Sequence, residues 1–151
     1  MLTYLLIAFI IFLALAPLSH FVPSKAQRRT ARMRERAAMD GLFVEFRKLP
    51  GSDDRLRPSP SGTIYYGLRH RSREEPAQRR QFLRQDEQWR ELEKLHPPTD
   101  QAWLADLPAQ VQAAESSRDG VGVYWQEAGE ETEVSRIAGV LKRRCGLAVE
   151  E

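Results

Sequence analysis

The first 24 residues, "MLTYLLIAFIIFLALAPLSHFVPS", contain no Lys, Arg, Asp or Glu, and the stretch from Lys25 to Arg36 then carries six basic residues against one acid, Glu35. No other feature restricts the fold as strongly. An apolar run without charges has to be buried in a core, in lipid or against a partner, so the chain divides into two unlike parts. Residues 2–22 are long enough, at ~1.5 Å per residue, to cross a hydrocarbon layer of ~30 Å. A secretory signal places basic residues before its apolar stretch and a small-x-small cleavage site after it. Here nothing basic precedes the run, and Ala14-Leu15-Ala16 is followed by Pro17. The expectation is a retained single-pass helix, in preference to a cleaved signal or a buried core helix.

Charge then sets orientation, because Lys and Arg that flank a span stay on the cytoplasmic side. Lys25, Arg28, Arg29, Arg32, Arg34 and Arg36 are read as the residues that fix topology. They also hold the following domain against anionic headgroups, at about 1 kcal/mol per nearby cation. His20, between Ser19 and Phe21, reads as an interfacial side chain reaching water in preference to a proton relay.

A length of 151 residues allows one ordinary domain besides such a span. The net charge of +2 hides a gradient, with eight basic residues against three acids over 25–48 and five against ten over 95–151. The lone cysteine, Cys145, excludes an internal disulfide and fits a reducing compartment. No Cys/His spacing suits zinc.

Along the polar part, "SKAQRRTARMRERAAMD" (24–40) has helical composition with Ser24 as N-cap and Gly41 as stop. "LFVEFRK" (42–48) and "TIYYGLR" (63–69) alternate as strands, joined by the Pro/Gly/Ser/Asp-rich loop 50–62. Residues 70–80 read as a solvated connection. Residues 81–95 fit a helix and a hairpin turning at Asp86-Glu87 equally well. A helical turn is expected at 100–105, then a second helix capped by Asp106 with Leu104, Leu107, Val111 and Ala114 as its apolar face. "DGVGVYWQE" (119–127) reads as a strand with Val121, Val123 and Trp125 buried. Residues 131–145 read as a helix with Val134, Ile137, Ala138, Leu141 and Cys145 on one stripe and Gly146 just beyond it.

None of the chemistry-bearing residues forms a recognisable catalytic, metal or cofactor motif. Asp53-Asp54, Glu74-Glu75 and Glu130-Glu131 fall in loops or at a helix start, where solvated charge is the ordinary outcome. Cys145 sits on an apolar stripe as a small filler, and His70 and His96 lack partners at ligand spacing. "RRTARMRER" and "RHRSREEPAQRR", with Tyr65 and Tyr66, raise nucleic-acid binding as a competitor. Convergence of Arg69, Arg71, Arg79 and Arg80 with Tyr65 on one face would favour it. Glu74 and Glu75 argue against it.

An N-terminal apolar segment, then "PSKAQRR", then a charged helix running into "GLFVEF", resembles the YajC-type accessory subunit of the bacterial preprotein translocase over about residues 1–48. The resemblance implies a non-enzymatic inner-membrane accessory protein with a small cytosolic domain, associated with preprotein translocation. The whole reading is an α+β protein without catalytic, metal or cofactor residues. It comprises a transmembrane helix over 1–23, a basic juxtamembrane helix over 24–41 and a domain over 42–151. That domain is expected to hold a small antiparallel sheet of three to five strands, carrying two C-terminal amphipathic helices. Expected partners are anionic lipid and another inner-membrane protein. The N-terminus would be periplasmic and the domain cytoplasmic. The alternatives are a membrane-tethered nucleic-acid binder or an enzyme of unrecognised type.

Overall fold

The computed structural model describes residues 1–15, 23–52, 58–69, 79–92 and 102–147. The chain forms two compact units, Met1–Thr30 and Ala31–Glu151. In the first, helix α1 (Leu2–Leu15) is apolar on all sides and none of its residues is buried. This overturns the expected transmembrane helix over 2–22. α1 has 14 residues, and among the described residues no helix is long and apolar enough to cross a membrane. At ~1.5 Å per residue, α1 covers only about 21 Å. Residues 16–22, including Pro17 and His20, lie outside the described residues. Pro23 precedes helix α2 (Lys25–Met39), whose start is capped reciprocally. The Gln27 N–H donates to Ser24 Oγ at 3.2 Å, and the Ser24 N–H donates to Gln27 Oε1 at 2.8 Å.

The second unit is α+β, built on a six-stranded, wholly antiparallel sheet. Its strands are β1 (Phe43–Glu45), β2 (Ile64–Arg69), β3 (Arg80–Gln85), β4 (Gln88–Glu91), β5 (Val111–Ser117) and β6 (Gly120–Trp125). Their spatial order is β1-β2-β6-β5-β3-β4. Six strands exceed the three to five expected. The ambiguous segment is a hairpin: β3 and β4 pair with Gln85 opposite Gln88, and Asp86 and Glu87 both take positive φ, 47° and 64°. Positive φ at both central residues gives the turn the hand that matches strand twist.

The expected helix beginning at Asp106 is instead β5, preceded only by the short helix α3 (Ala102–Ala105). The pair of amphipathic helices on the sheet therefore reduces to one, α4 (Glu131–Arg144). A β-bulge explains the misreading. Val111 faces Trp125 and Ala113 faces Tyr124, so Gln112 is the extra residue. The bulge places Val111 and Ala114 in the same core three positions apart, a spacing that imitates a helix.

One face of the sheet carries the main core, in which Tyr66, Phe82, Val123 and Trp125 pack with Met33, Leu104, Ile137 and Leu141. Tyr66 meets Trp125 edge-on at 5.3 Å between centroids. α4 stops as expected, with Gly146 at φ 67° and the Leu147 N–H donating to the Lys142 carbonyl at 2.9 Å.

Candidate functional site

Alternation within the strands sends a second set of side chains to the opposite face, where Tyr65, Leu83, Ala113 and Tyr124 form a smaller cluster with Phe43 and Leu49 at its margin. Tyr65 lies opposite Tyr124 on the neighbouring strand, with ring centroids 4.8 Å apart. Its ring is laid across two glycines. A Cβ at Gly67 or Gly122 would approach Tyr65 closer than 3.0 Å, so both positions have to lack a side chain. The result is a low aromatic floor on a sheet whose other residues would normally stand upright.

Charged groups close over this floor. The Arg47 guanidinium sits 4.2 Å above the Tyr65 ring and donates from Nε to Glu45 Oε2 at 2.7 Å. Arg79 grips Glu115 with two parallel hydrogen bonds, Nε to Oε1 at 3.0 Å and Nη2 to Oε2 at 2.9 Å. Glu115 Oε2 also accepts from Gln81 Nε2 at 3.0 Å and from the Tyr124 hydroxyl at 2.9 Å. Beside them lies a cavity of about 740 Å³, with Arg69, Arg118 and Asp119 among its lining residues. Arg69 stands 5.3 Å over the Phe43 ring.

Burial would push the Glu115 carboxyl up, but the hydrogen bonds from Arg79, Gln81 and Tyr124 outweigh it and hold the group below its ordinary value. The Tyr124 hydroxyl is pushed up to about 12, first by burial and then by the Glu115 charge. Tyr65 is raised as well, by burial and Glu115. At neutral pH the tyrosines therefore keep their protons and Glu115 stays ionised with its oxygens occupied. The array offers fixed hydrogen-bond donors. None of these three groups is poised to exchange a proton near neutrality.

The residues singled out from sequence are distributed unevenly. Lys25, Arg28, Arg29 and Arg32 are exposed on α2. Arg34 is instead bound to buried Glu127 through Nε and Nη2, each at 2.8 Å, where the Tyr66 hydroxyl also donates at 2.7 Å. Arg36 pairs with Asp40 at 3.1 Å along the same helix. Cys145 is half-buried, and burial pushes its thiol up to about 11, which makes it a poor nucleophile. At Glu130, the backbone N–H donates to Glu133 Oε2 at 2.8 Å, so this residue serves the start of α4. Asp53, Asp54, His70, Arg71, Glu74, Glu75 and His96 lie outside the described residues.

The basic-aromatic convergence is partial. Arg69 and Arg79 line the cavity with Tyr65, but Arg80 is bound to Glu91 at 2.8 Å and stands over Phe82 of the main core. Tyr65 and Tyr124 are 3% and 1% exposed and leave no open ring for a base to stack upon. Sequence reasoning missed Arg47, Glu115, Arg118 and Tyr124. The only local signal was Glu115 as the lone charged residue in a strand of mostly small side chains. Among the described residues, no group of three or more His, Cys, Asp or Glu side chains could hold a metal ion. No known family, curated protein or solved structure matches the chain.

Proposed function

We propose that this protein is a non-enzymatic, membrane-associated accessory module, held at a bilayer by its N-terminal unit and acting through contacts of its α+β unit. The observation that carries this reading is α1, whose residues are apolar all round and unburied. A helix hydrophobic on every side needs a dry environment, and a length of 10–14 residues suits an interfacial or partly inserted segment. Lys25, Arg28, Arg29 and Arg32 follow closely and are exposed, so they are available to anionic headgroups. Arg34 and Arg36 contribute less, because each is engaged by a carboxylate of its own unit. In this reading the partner is another protein of a bacterial inner membrane, and the resemblance of residues 1–48 makes the preprotein translocase the first candidate.

Flotation with lipid vesicles tests the membrane part. The full chain is expected to float with vesicles containing phosphatidylglycerol. Leu6→Asp combined with Ile10→Asp should leave it in the soluble fraction, and replacing Lys25, Arg28, Arg29 and Arg32 by Gln should weaken flotation only on anionic vesicles. Unchanged flotation of the Asp variant would refute the role given to α1. The accessory role is tested by crosslinking from intact membranes, where recovery of no membrane-protein partner would count against it.

A further inference from the structure

We propose that the open face of the sheet binds a small phosphate-bearing molecule, with its phosphate received by Arg69 and Arg118. The inference is independent of the membrane reading, since every lining residue lies within 31–151. The cavity of about 740 Å³ falls in the size range of small-molecule sites, roughly 300–1,000 Å³.

Charge decides the ligand class. Arg47, Arg69, Arg79 and Arg118 line the cavity against Glu45, Glu115 and Asp119, leaving one positive charge in excess. Glu45 engages Arg47, and Glu115 engages Arg79. Among the described residues, Arg69 and Arg118 have no carboxylate partner, and both are exposed. A guanidinium carries five N–H donors, and the bonds to Glu115 occupy two on Arg79, so further donors remain even there. Several guanidiniums with spare donors match the −1.5 to −2 charge and three acceptor oxygens of a phosphate monoester. The same lining disfavours a nucleic-acid strand, because three carboxylates would face its continuous negative backbone. Phe43, half-buried beneath Arg69, gives the organic part of the ligand an apolar surface.

Calorimetric titration of the full chain in non-ionic detergent with glycerol phosphate, at constant ionic strength, tests this. Saturable binding is expected, weakened about tenfold or more by the double variant Arg69→Gln/Arg118→Gln. Arg90→Gln, which removes one positive charge from β4 outside the cavity, should leave the affinity unchanged, and each single variant, Arg69→Gln or Arg118→Gln, should weaken binding more than it does. The double variant should unfold at the wild-type midpoint, because neither arginine holds an ion pair among the described residues. If it does not, Arg69→Lys/Arg118→Lys keeps the charge, and its affinity should lie between wild type and the Gln pair. Vesicles containing phosphatidate separate the two sources of such a group. Binding of glycerol phosphate assigns a soluble ligand. Stronger flotation on phosphatidate than on phosphatidylglycerol vesicles that the double variant abolishes, without glycerol phosphate binding, assigns a lipid headgroup. Failure of both probes, or equal weakening by Arg90→Gln, overturns the proposal.

Discussion

Glu115 and Trp125 show opposite ways in which one residue can matter. Trp125 was legible as core because Val121, Val123 and Trp125 alternate in a short strand, and all three are fully buried. Trp125→Ala is expected to cost ~3–5 kcal/mol, measured by denaturant unfolding, as large-to-small changes in a packed core do. Glu115 was not legible. Its partners Arg79 and Gln81 are more than thirty positions away in sequence and reach it only because β3 pairs with β5. Its depressed pKa gives a definite pH dependence. The unfolded carboxyl titrates near ~4.3, so the stability that Glu115 contributes is present above that pH and is lost as pH falls through the lower folded value. Glu115→Gln should flatten the acid limb of the stability curve below about pH 4.3, and an unchanged limb would contradict the assignment. Tyr124 acts on the alkaline side. Its hydroxyl is raised to about 12 in the fold, so its contribution is complete below ~10 and is lost as pH rises through 12. Tyr124→Phe should soften that loss.

At the scale of elements, periodicity succeeded where a strand was regular and failed where it was interrupted. β2 and β6 alternate without a break and were read correctly, because each register position of one maps onto the other. β5 was misread because its bulge converts an alternation of two into a spacing of three, and Ala113, Ala114 and Glu115 are all acceptable in helices. The small side chains are better explained by the sheet. β5 lies between β6 and β3, and Ala113 and Ala114 serve different clusters on its two faces. The β3–β4 hairpin could not be separated from a helix, since its turn is Asp86-Glu87, without the glycine or asparagine that usually marks such turns. Left-handed backbone at an ordinary residue costs roughly 1–2 kcal/mol. Replacing Asp86-Glu87 by Asn-Gly should therefore raise stability by about 1 kcal/mol. A drop in stability would mean that the exposed carboxylates matter more than the backbone.

At the scale of the molecule, the sequence announced a division between an apolar beginning and a charged remainder, but not its depth. Length and flanking charge both pointed to a membrane crossing, whereas among the described residues no helix, α1 (Leu2–Leu15) included, is long and apolar enough for one. Among the described residues, the core of the second unit uses Met33 and Ala37 from α2 and none before them. A chain beginning at Pro23 should thus retain everything that this core requires, including the Ser24–Gln27 cap. Its unfolding should be cooperative, with a free energy within ~0.5 kcal/mol of the full chain measured in detergent, since none of the described residues it lacks is buried. Met33→Ala in the shortened chain should cost ~2–5 kcal/mol, because that side chain is completely buried. Arg34→Ala should also destabilise it, leaving the buried Glu127 carboxylate with the Tyr66 hydroxyl as its one side-chain donor among the described residues. Loss of cooperative unfolding on shortening alone would show that the α+β unit depends on residues 1–22, and the two units would then have to be treated as one.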